Sequence, residues 1–282
     1  MLSFFTVATL FLSLATSTTA FVTPRTSTTH RPAFVREASP SNTQLEAYKK
    51  IFVAGGSKGV GRQVVNQILS KKDGTAVVAL VRDPAVAEEL NALSTEDAPI
   101  TAIVGDAMDQ KTVENAMDGC DAAITTLGGT TTLPDGTNER VDYTGNSNVI
   151  ESAGILGVVR IILVTTIGCG NSKEATPDQT YEVLKDVILA KNRAENLLVK
   201  YYTNSNWTII RPGGLVSEPM TGKAVLTSDN TVLGLIHRED VARLALEAMD
   251  SPNTERQILS AIDPSIESSY ATEKPIEAFA LA

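Results

Sequence analysis

The sequence predicts an α/β fold in which a single doubly wound parallel sheet carries helices on both of its faces. Three observations support this prediction. Short apolar runs alternate along the chain with longer segments of helical periodicity, which is the pattern of a parallel sheet. The runs contain few polar residues, as expected for strands that are buried on both faces. A glycine cluster directly follows the first run.

A strand, a glycine turn and a helix open the folded part of the chain. Residues 51–54 form an apolar run that is too short for a buried helix, and apolar residues at helical spacing follow between Val60 and Leu69. The glycines between them are Gly55, Gly56, Gly59 and Gly61. This order predicts a Rossmann-like turn that binds a dinucleotide, although glycines also form plain strand–helix turns.

The glycines of this turn have separate expected functions. Gly55 is predicted to make the tight turn, Gly59 to let the backbone approach a pyrophosphate, and Gly61 to bring the helix close to the strand. The N-terminus of the helix then presents free N–H groups and a partial positive charge to the phosphates.

Composition and charge argue against several classes of function. The net charge of -9 argues against a nucleic-acid surface, which needs a basic footprint. Cys120 and Cys169 have neither metal-binding nor disulfide spacing, so we expect buried free thiols. His30 and His237 lie far apart in the sequence, and we therefore expect no metal site.

The first 47 residues are predicted to be targeting sequence. Residues 1–20 are mostly apolar and end in small residues, as in a signal peptide, although a buried amphipathic helix is the alternative. Residues 21–47 begin with a Ser-, Thr- and Pro-rich stretch that carries arginines, as in a transit peptide. The combination resembles the bipartite plastid presequences of algae such as diatoms, and ordinary secretion is the alternative. The folded domain is then expected over residues 48–264, with a loosely held tail over residues 265–282 and no stable membrane span in the mature form.

Later apolar runs and helical segments complete the predicted α/β pattern. Further strands are expected at residues 76–81, 100–104, 121–127, 159–165, 207–210, 233–237 and 258–262. Further helices are expected at residues 84–93, 110–117, 141–153, within 181–202 and at 241–249, with a loop at 130–138.

Arg82 follows the second strand, where the adenosine ribose lies in folds of this kind. A guanidinium matches a 2′-phosphate in geometry and charge, and Lys58 and Arg62 add positive charge nearby. We therefore expect NADP rather than NAD. Two alternatives stay open, because a solvated strand-end charge also explains Arg82 and the adjacent Asp83 favours NAD.

Two further strand ends are predicted to line the dinucleotide. Asp106 follows the third strand and is expected to accept a hydrogen bond from the adenine amino group, to cap the next helix, or to do both. Gly128 and Gly129 follow the fourth strand, where glycine lets the backbone lie along the ribose and phosphates.

The order of these motifs resembles one family over residues 50–264. This family comprises the atypical short-chain dehydrogenases/reductases of the NmrA-like and biliverdin-reductase-B (flavin-reductase) type. The matching segments are FVAG (52–55) with Gly61, LVRDP (80–84), GD (105–106), DY (142–143), LVTTIG (163–168), AK (190–191), AE (194–195), IRPG (210–213) and HREDV (237–241).

The resemblance implies a sheet of about seven strands with NADP along its C-terminal edge, and a substrate cleft shaped by the segment from Arg211 to Gly213. It also implies that Thr166 hydrogen-bonds the nicotinamide or the substrate and that Lys191 binds the nicotinamide ribose, as the candidate catalytic residues. The alternative for Thr166 is a hydroxyl whose hydrogen bonds are all made within the protein at the end of a strand. The alternative for Lys191 is a solvent-exposed charge on a helix. The cofactor is assigned to Gly55, Ser57, Lys58, Gly59, Val60, Gly61, Arg82, Asp106, Ala107, Leu127, Gly128 and Lys191.

The chain departs from the tyrosine-dependent dehydrogenases in one important position. Those enzymes need a tyrosine four residues before the lysine to protonate a carbonyl oxygen. Val187 occupies that position, and Thr165 or Thr166 replaces their serine. An isomerase or dehydratase acting on a nucleotide sugar is therefore not expected.

Two functions fit this combination of a complete cofactor edge and a missing proton donor. The first is an NADPH-dependent oxidoreductase acting on a flavin, quinone or pigment, because such acceptors take protons from water. The alternative is a non-catalytic NADP-binding redox sensor or plastid assembly factor with protein partners. The sequence does not name the acceptor.

Overall fold

The computed structural model describes residues 48–133, 135–203 and 205–281. The predicted signal peptide (1–20) and transit-peptide-like segment (21–47) lie outside the described residues. The strands are β1 (Lys50–Ala54), β2 (Ala76–Val81), β3 (Ile100–Val104), β4 (Ala122–Thr125), β5 (Thr130–Thr132), β6 (Asn138–Arg140), β7 (Arg160–Val164), β8 (Asn206–Pro212), β9 (Gly214–Val216), β10 (Val225–Thr227), β11 (Leu235–His237) and β12 (Gln257–Ile262). The helices are α1 (Gly59–Lys71), α2 (Pro84–Asn91), α3 (Gln110–Met117), α4 (Thr144–Leu156), α5 (Asp178–Tyr201) and α6 (Arg238–Asp250), with 3₁₀ helices at Gly170–Ala175 and Pro252–Thr254.

The central sheet of the described residues has eight strands in the order β10-β12-β8-β7-β4-β1-β2-β3. All neighbours are parallel except β10, which pairs antiparallel with β12 at one edge. The predicted doubly wound α/β fold is therefore confirmed. The parallel strands match the number that the resemblance implies, and β10 adds an edge strand that the sequence analysis missed.

The strand order reverses at β1, which positions the functional site. Fully buried Phe52 of β1 lies beside Val78 of β2 and, on the other side, beside Ala123 of β4. The connections from β1 to β2 and from β4 to β7 therefore run in opposite directions along the sheet, which opens a crevice at the carboxyl ends of β1 and β4.

Two apolar layers cover the sheet. On one face, α1, α2 and α6 pack around a core that includes Val64, Leu90 and Val241. On the other face, α3, α4 and α5 pack around a core that includes Val113, Ile150 and Leu198. The nearly continuous apolar runs of the strands are explained by this burial on both faces.

Arg160 is a buried cation that ties β7 to α6. Its guanidinium donates to the carbonyl oxygens of Ala248 at 2.5 Å and Met249 at 3.1 Å, at the C-terminal end of α6. It also donates to the hydroxyls of Thr208 and Thr254, at 2.9 and 2.8 Å. Burial lowers the pKa of Arg160, and the partial negative charge at the helix end offsets part of that cost.

Several element boundaries differ from the sequence prediction by a few residues, and two of the differences have identifiable reasons. The expected loop at residues 130–138 contains the β5–β6 hairpin, because threonines favour strands and Asp135-Gly136 is a turn signal. Strand β8 runs through Arg211 and Pro212 rather than stopping before them. Pro212 is tolerated because it is the last residue of the strand, where its missing N–H removes little of the ladder.

The tail beyond residue 264 is held more firmly than expected. The N–H of Thr272 donates to the carbonyl oxygen of Leu233 at 2.8 Å, and the N–H of Phe279 donates to that of Leu226 at 2.7 Å. Lys274 forms an ion pair with Asp229 at 2.5 Å. These contacts fix the segment across β10 and the loop before β11. None of the described helices is long and apolar enough to span a lipid bilayer.

Candidate cofactor and acceptor site

A cleft of about 340 Å³, here called the main cleft, lies at the carboxyl ends of the central strands. Of the positions assigned to the cofactor from the sequence, all except Gly61 line it. Residues that the sequence analysis did not assign to the cofactor also line it, among them Thr130, Val141, Thr165, Pro212, Leu215 and Arg238. They come from the hairpin and the residue after it, from the ends of β7 and β8, from β9, and from the start of α6.

The N-terminus of α1 faces the main cleft with unused hydrogen-bond donors. Lys58 occupies the N-cap position without a side-chain capping bond, and the first turn contains no acidic residue. The first N–H groups of a helix lack intrahelical partners and carry partial positive charge. This end of α1 therefore suits a phosphate group.

Gly61 lies beneath the cleft, where α1 crosses close to the end of β1. A side chain at this position would overlap the carbonyl oxygen of Gly55 and lie 2.5 Å from Thr126 Oγ1. Gly55 itself has a φ of +91°, as a tight turn requires. Together, Gly55 and Gly61 let the backbone amides of the turn between β1 and α1 lie at the floor of the main cleft.

Arg82 lines the main cleft at the end of β2 with an exposed side chain. The neighbouring Asp83 is not among the residues that line the main cleft, and its carboxylate caps α2 by accepting from the N–H of Ala85 at 2.9 Å. Arg62, which was expected to add positive charge, is paired with Glu89 at 2.6 Å. Lys58, Arg82 and Arg238 are thus the cations of the cleft mouth.

Asp106 lines the main cleft but does not cap the following helix, which corrects one alternative from the sequence analysis. Asp106 Oδ1 accepts from the N–H of Met108 at 3.0 Å. The cap of α3 is Asp109, whose Oδ1 accepts from the N–H of Lys111 at 3.1 Å. The second carboxylate oxygen of Asp106 is not used in this turn, so the side chain retains an acceptor for a ligand amino group.

Lys191 reaches into the main cleft from α5 and is only 9% exposed. Its Nζ donates to the carbonyl oxygen of Leu127 at 2.8 Å and lies 3.2 Å from Asp142 Oδ1. It is therefore not a solvated helix charge. Asp142, 1% exposed, also accepts from the N–H of Gly129 at 2.9 Å and from Arg140 at 2.6 Å. Asp142 thereby fixes both the lysine and the glycine loop, a role that the DY motif alone did not reveal.

Thr165 is held by a buried ion pair behind the main cleft. Its hydroxyl donates to Glu195 Oε1 at 2.6 Å. Arg211 donates to both oxygens of Glu195, at 3.0 and 2.6 Å, and to Asn171 Oδ1 at 2.6 Å. Bidentate contacts of this kind fix geometry, so the ends of β7 and β8 and helix α5 are locked together at the cleft wall.

A second cavity of about 210 Å³, here called the side chamber, adjoins the main cleft. Pro212 lines both spaces, and adjacent residues divide between them, Thr165 in the main cleft and Thr166 in the side chamber. The remaining walls of the side chamber come from the segment between β7 and α5, the first turns of α5, the end of β8 and start of β9, the loop before β11, and the tail. Thr166 thus lines the side chamber and not the main cleft.

No tyrosine stands at the position of the missing proton donor. Val187 lies one helical turn before Lys191, and Tyr181 packs its ring under Lys173 at 4.9 Å and lines neither space. Tyr270 of the tail does line the side chamber. No signal in the sequence pointed to Tyr270, because the tail has no periodicity and only the fold brings it to the end of β8.

Comparisons with known proteins identify the family of this chain. The family described as NAD(P)H-binding matches residues 55–252. The chain belongs to the NAD(P)H-binding family. The family assignment predicted from the order of the motifs is therefore confirmed.

Three individual proteins show how far the likeness extends. An uncharacterized sugar epimerase, YhfK of Bacillus subtilis, is 31% identical over 74% of this chain and 91% of its own length. An uncharacterized chloroplastic protein of Arabidopsis thaliana, At2g34460, is 32% identical over 71% of this chain and 72% of its own length. The structure of ChuY, an anaerobillin reductase from Escherichia coli O157:H7, has a TM-score of 0.68 and 28% identity over 78% of this chain and all of its own.

The thiols of this NAD(P)H-binding chain are not placed for chemistry. Cys120 and Cys169 are both free and buried, as the sequence analysis expected. Burial raises the pKa of Cys120 to about 11 and that of Cys169 further still. Because the thiolate is the reactive form, neither residue is a nucleophile near neutral pH.

A His–Asp cluster lies outside both spaces and was not anticipated from the sequence. The ligand atoms of His237, Asp240 and Asp263 lie within 4.8 Å of one another. The carboxylates already accept hydrogen bonds, Asp240 from the N–H of Thr221 and from Arg243, and Asp263 from the hydroxyl of Thr221. These bonds tie α6 to the end of β12, which is a structural use of the cluster.

Proposed function

We propose that the protein is an NADPH-dependent oxidoreductase that transfers hydride to a small planar acceptor. The observation that supports this most directly is the junction at Pro212, where the main cleft meets a separate cavity. A cofactor-binding module without a substrate has no need of such a chamber. The reductase named among the structural relatives supports the same reaction class.

The residues of the main cleft fit a nicotinamide dinucleotide. The free N–H groups of α1 suit the pyrophosphate, and Lys191, held at Leu127, suits a ribose hydroxyl. When bound, the dinucleotide would supply the hydride. The chain would then have to hold the two reactants in contact and limit the access of water. The buried Lys191 supports the first task, and the apolar walls near Val164 and Pro212 support the second.

The missing tyrosine argues against a sugar epimerase activity, and it is the reason for keeping one alternative to the reductase. Val187 removes the usual proton donor, which is compatible with a non-catalytic NADP-binding redox sensor or assembly factor. We also propose a plastid location, which the chloroplastic relative and the composition of residues 1–47 support.

Steady-state oxidation of NADPH with flavin and quinone acceptors tests the reductase proposal. We expect turnover, and we expect Lys191→Met to lower kcat/KM by about 10–100-fold, because one charge-assisted hydrogen bond is lost. Lys185→Met is the matched control, since Lys185 lies on the same helix and pairs with Glu182 at the surface. Tight binding of NADPH without turnover by any acceptor would instead support the sensor or assembly factor.

Arg82→Ala tests the choice of cofactor. We expect the affinity for NADP to fall by about 10–30-fold, or roughly 2 kcal/mol, while the affinity for NAD stays nearly constant. Arg62→Ala is the matched control because Glu89 already neutralises Arg62. Binding titrations with both dinucleotides provide the measurement, and an equal loss for the two would show that Arg82 does not contact the 2′-phosphate.

A further inference from the structure

We propose that His237, Asp240 and Asp263 bind one divalent transition-metal ion, with Zn²⁺ as the ion of best fit, and that this ion cross-links the start of α6 to the end of β12. The inference goes beyond the proposed reductase function and does not depend on it, because the cluster lies outside the main cleft and the side chamber. It also departs from the sequence expectation of no metal site, which considered only the histidines and cysteines.

The three candidate ligand atoms come together from separate elements of the fold. His237 ends β11, Asp240 lies in the first turn of α6, and Asp263 directly follows β12. One ligand atom from each residue lies within 4.8 Å of the other two. Nitrogen and oxygen ligands about 2.1 Å from one tetrahedral Zn²⁺ lie roughly 3.4 Å apart. The widest separation in the cluster therefore has to shorten by roughly 1.4 Å at most, which small side-chain rotations can supply.

The imidazole of His237 supplies the observation that points to a ligand. The residue is 8% exposed, and its Nδ1 has no hydrogen-bond partner among the described residues. Asp240 Oδ2 lies 3.9 Å from this nitrogen, which is beyond hydrogen-bond distance. A buried polar atom without a partner costs free energy, so its presence calls for an explanation. A metal ion between the nitrogen and the carboxylates would give Nδ1 its missing partner.

The two carboxylates carry more negative charge than their surroundings neutralise. Asp240 and Asp263 are 0% and 1% exposed. Arg243 pairs with Asp240 Oδ1 at 3.0 Å, whereas no ion pair joins Asp263 to a cation within the described ranges. Two buried carboxylates at this separation repel each other, and a nearby cation lowers the free energy of both.

Neighbouring donors hold each carboxylate by one of its oxygens. Asp240 Oδ1 accepts from Arg243, and Asp263 Oδ1 accepts from the N–H and the hydroxyl of Ser265 at 2.9 and 2.6 Å. The Oδ2 atoms accept from Thr221, whose N–H donates to Asp240 at 3.0 Å and whose hydroxyl donates to Asp263. Donors that orient one oxygen and leave the second for the ion are the usual support of a metal site.

Thr221 also marks the route by which an ion would enter. Thr221, Gly222 and Lys223 are consecutive exposed residues, and Thr221 covers the Oδ2 atoms of both carboxylates. An ion can therefore reach the cluster by displacing this short loop, without opening the sheet.

The mixture of one imidazole and two carboxylates selects the kind of ion. Ca²⁺ and Mg²⁺ prefer at least six ligands that are mostly oxygen, whereas imidazole favours Zn²⁺ and the neighbouring transition metals. Three protein ligands with a water molecule in the fourth position match the tetrahedral geometry of Zn²⁺. Because all three ligand residues are buried, we expect the ion to stabilise the fold rather than to act on a substrate.

The test uses the full chain, freed of metal with EDTA and then titrated with Zn²⁺ or Co²⁺. We expect one equivalent of either ion to bind, and we expect the visible absorption of bound Co²⁺ to be that of a four-coordinate ion. Free Zn²⁺ at about 100 times its dissociation constant should raise the melting temperature by at least about 5 °C. Mg²⁺ should bind at least about 100-fold more weakly than Zn²⁺.

Two variants identify the ligands. His237→Ala and Asp263→Asn should each weaken Zn²⁺ binding at least about 100-fold, because even the loss of an outer partner of a metal ligand typically costs about 10–100-fold. Circular dichroism checks that each variant is folded. Asp250→Asn is the matched control, since Asp250 lies on the same helix as Asp240 but pairs with Lys71 at the surface, at 3.5 Å.

Several results would overturn the inference. If the unsubstituted chain binds no Zn²⁺, a proton on His237 rather than a metal ion balances the carboxylates. Equal affinity for Mg²⁺, or Zn²⁺ binding that both variants retain, would also contradict the site. If neither variant folds, the Co²⁺ spectrum of the unsubstituted chain decides, because a six-coordinate spectrum would exclude the proposed tetrahedral ligand set.

Discussion

Gly61→Ala is expected to abolish dinucleotide binding and to destabilise the fold. The added methyl group would overlap the carbonyl oxygen of Gly55 and lie 2.6 Å from its carbonyl carbon, so the backbone of α1 or of the turn must move. We expect a loss of about 1–3 kcal/mol in the free energy of unfolding. We also expect at least about 100-fold weaker binding of NADPH, because displaced turn amides no longer face the pyrophosphate.

Two other glycines separate steric overlap from backbone strain. Gly59 has a φ of +60°, and the methyl group of an alanine there would meet no atom within 4 Å, but Gly59 lines the main cleft. Gly59→Ala should therefore cost about 1–2 kcal/mol of stability and still weaken the binding of NADPH. Gly74 has a φ of +82° and lies in an exposed turn. Gly74→Ala should therefore lose a similar amount of stability and bind NADPH normally. Fluorescence titration gives the affinity for NADPH, and urea unfolding gives the free energy of unfolding. Normal NADPH binding by Gly61→Ala would show that the turn between β1 and α1 does not bind the pyrophosphate.

Glu195→Ala is expected to be the most destabilising single change at the site. It removes the counter-charge of the buried Arg211 guanidinium, which keeps only the neutral Asn171 as an acceptor among the described residues, and it leaves the hydroxyl of Thr165 with a long 3.5 Å contact to the carbonyl oxygen of Ile210. Breaking a buried ion pair from one side typically costs about 3–5 kcal/mol. Urea unfolding followed by circular dichroism measures this cost. Thr165 lines the main cleft. We therefore also expect the folded fraction of Glu195→Ala to bind NADPH more weakly than the unsubstituted protein does.

The controls for this prediction distinguish a buried charge from lost packing. Glu182→Ala removes the surface pair with Lys185 on the same helix and should change stability by less than about 1 kcal/mol. The double variant Glu195→Leu with Arg211→Met removes both charges and should recover most of the stability that the single variant loses. A Glu195→Ala variant as stable as Glu182→Ala would show that this pair does not hold the cleft wall.

The sequence was sufficient for the fold because each strand and helix carries its own periodic signal. The run at residues 76–81 and the stripe from Val60 to Leu69 are local patterns, and the structure reproduces both. The cofactor side of the site follows from the fold, since residues after parallel strands share one edge of the sheet. Lys58 and Arg82 were placed at the main cleft by that rule alone.

What the sequence did not reveal are contacts between distant segments. Asp142 holds Lys191, 49 positions along the chain, and nothing in the pattern of either segment specifies that pair. The cap of α3 was missed for a simpler reason. Asp106 and Asp109 are both suitable capping residues, and only the backbone conformation decides between them. The side chamber depends on residues from several elements, so it emerges only once the chain is folded.

The anchored segment that carries Tyr270 separates two properties of the molecule. It lies beyond β12, outside the sheet, and contributes Tyr270 to the side chamber but no residue to the main cleft. Under the function proposed here, substitutions in this segment would alter which acceptor is preferred while leaving the nicotinamide dinucleotide affinity intact. The preference for an acceptor could then change during evolution without any change in the turn that is proposed to bind the phosphates.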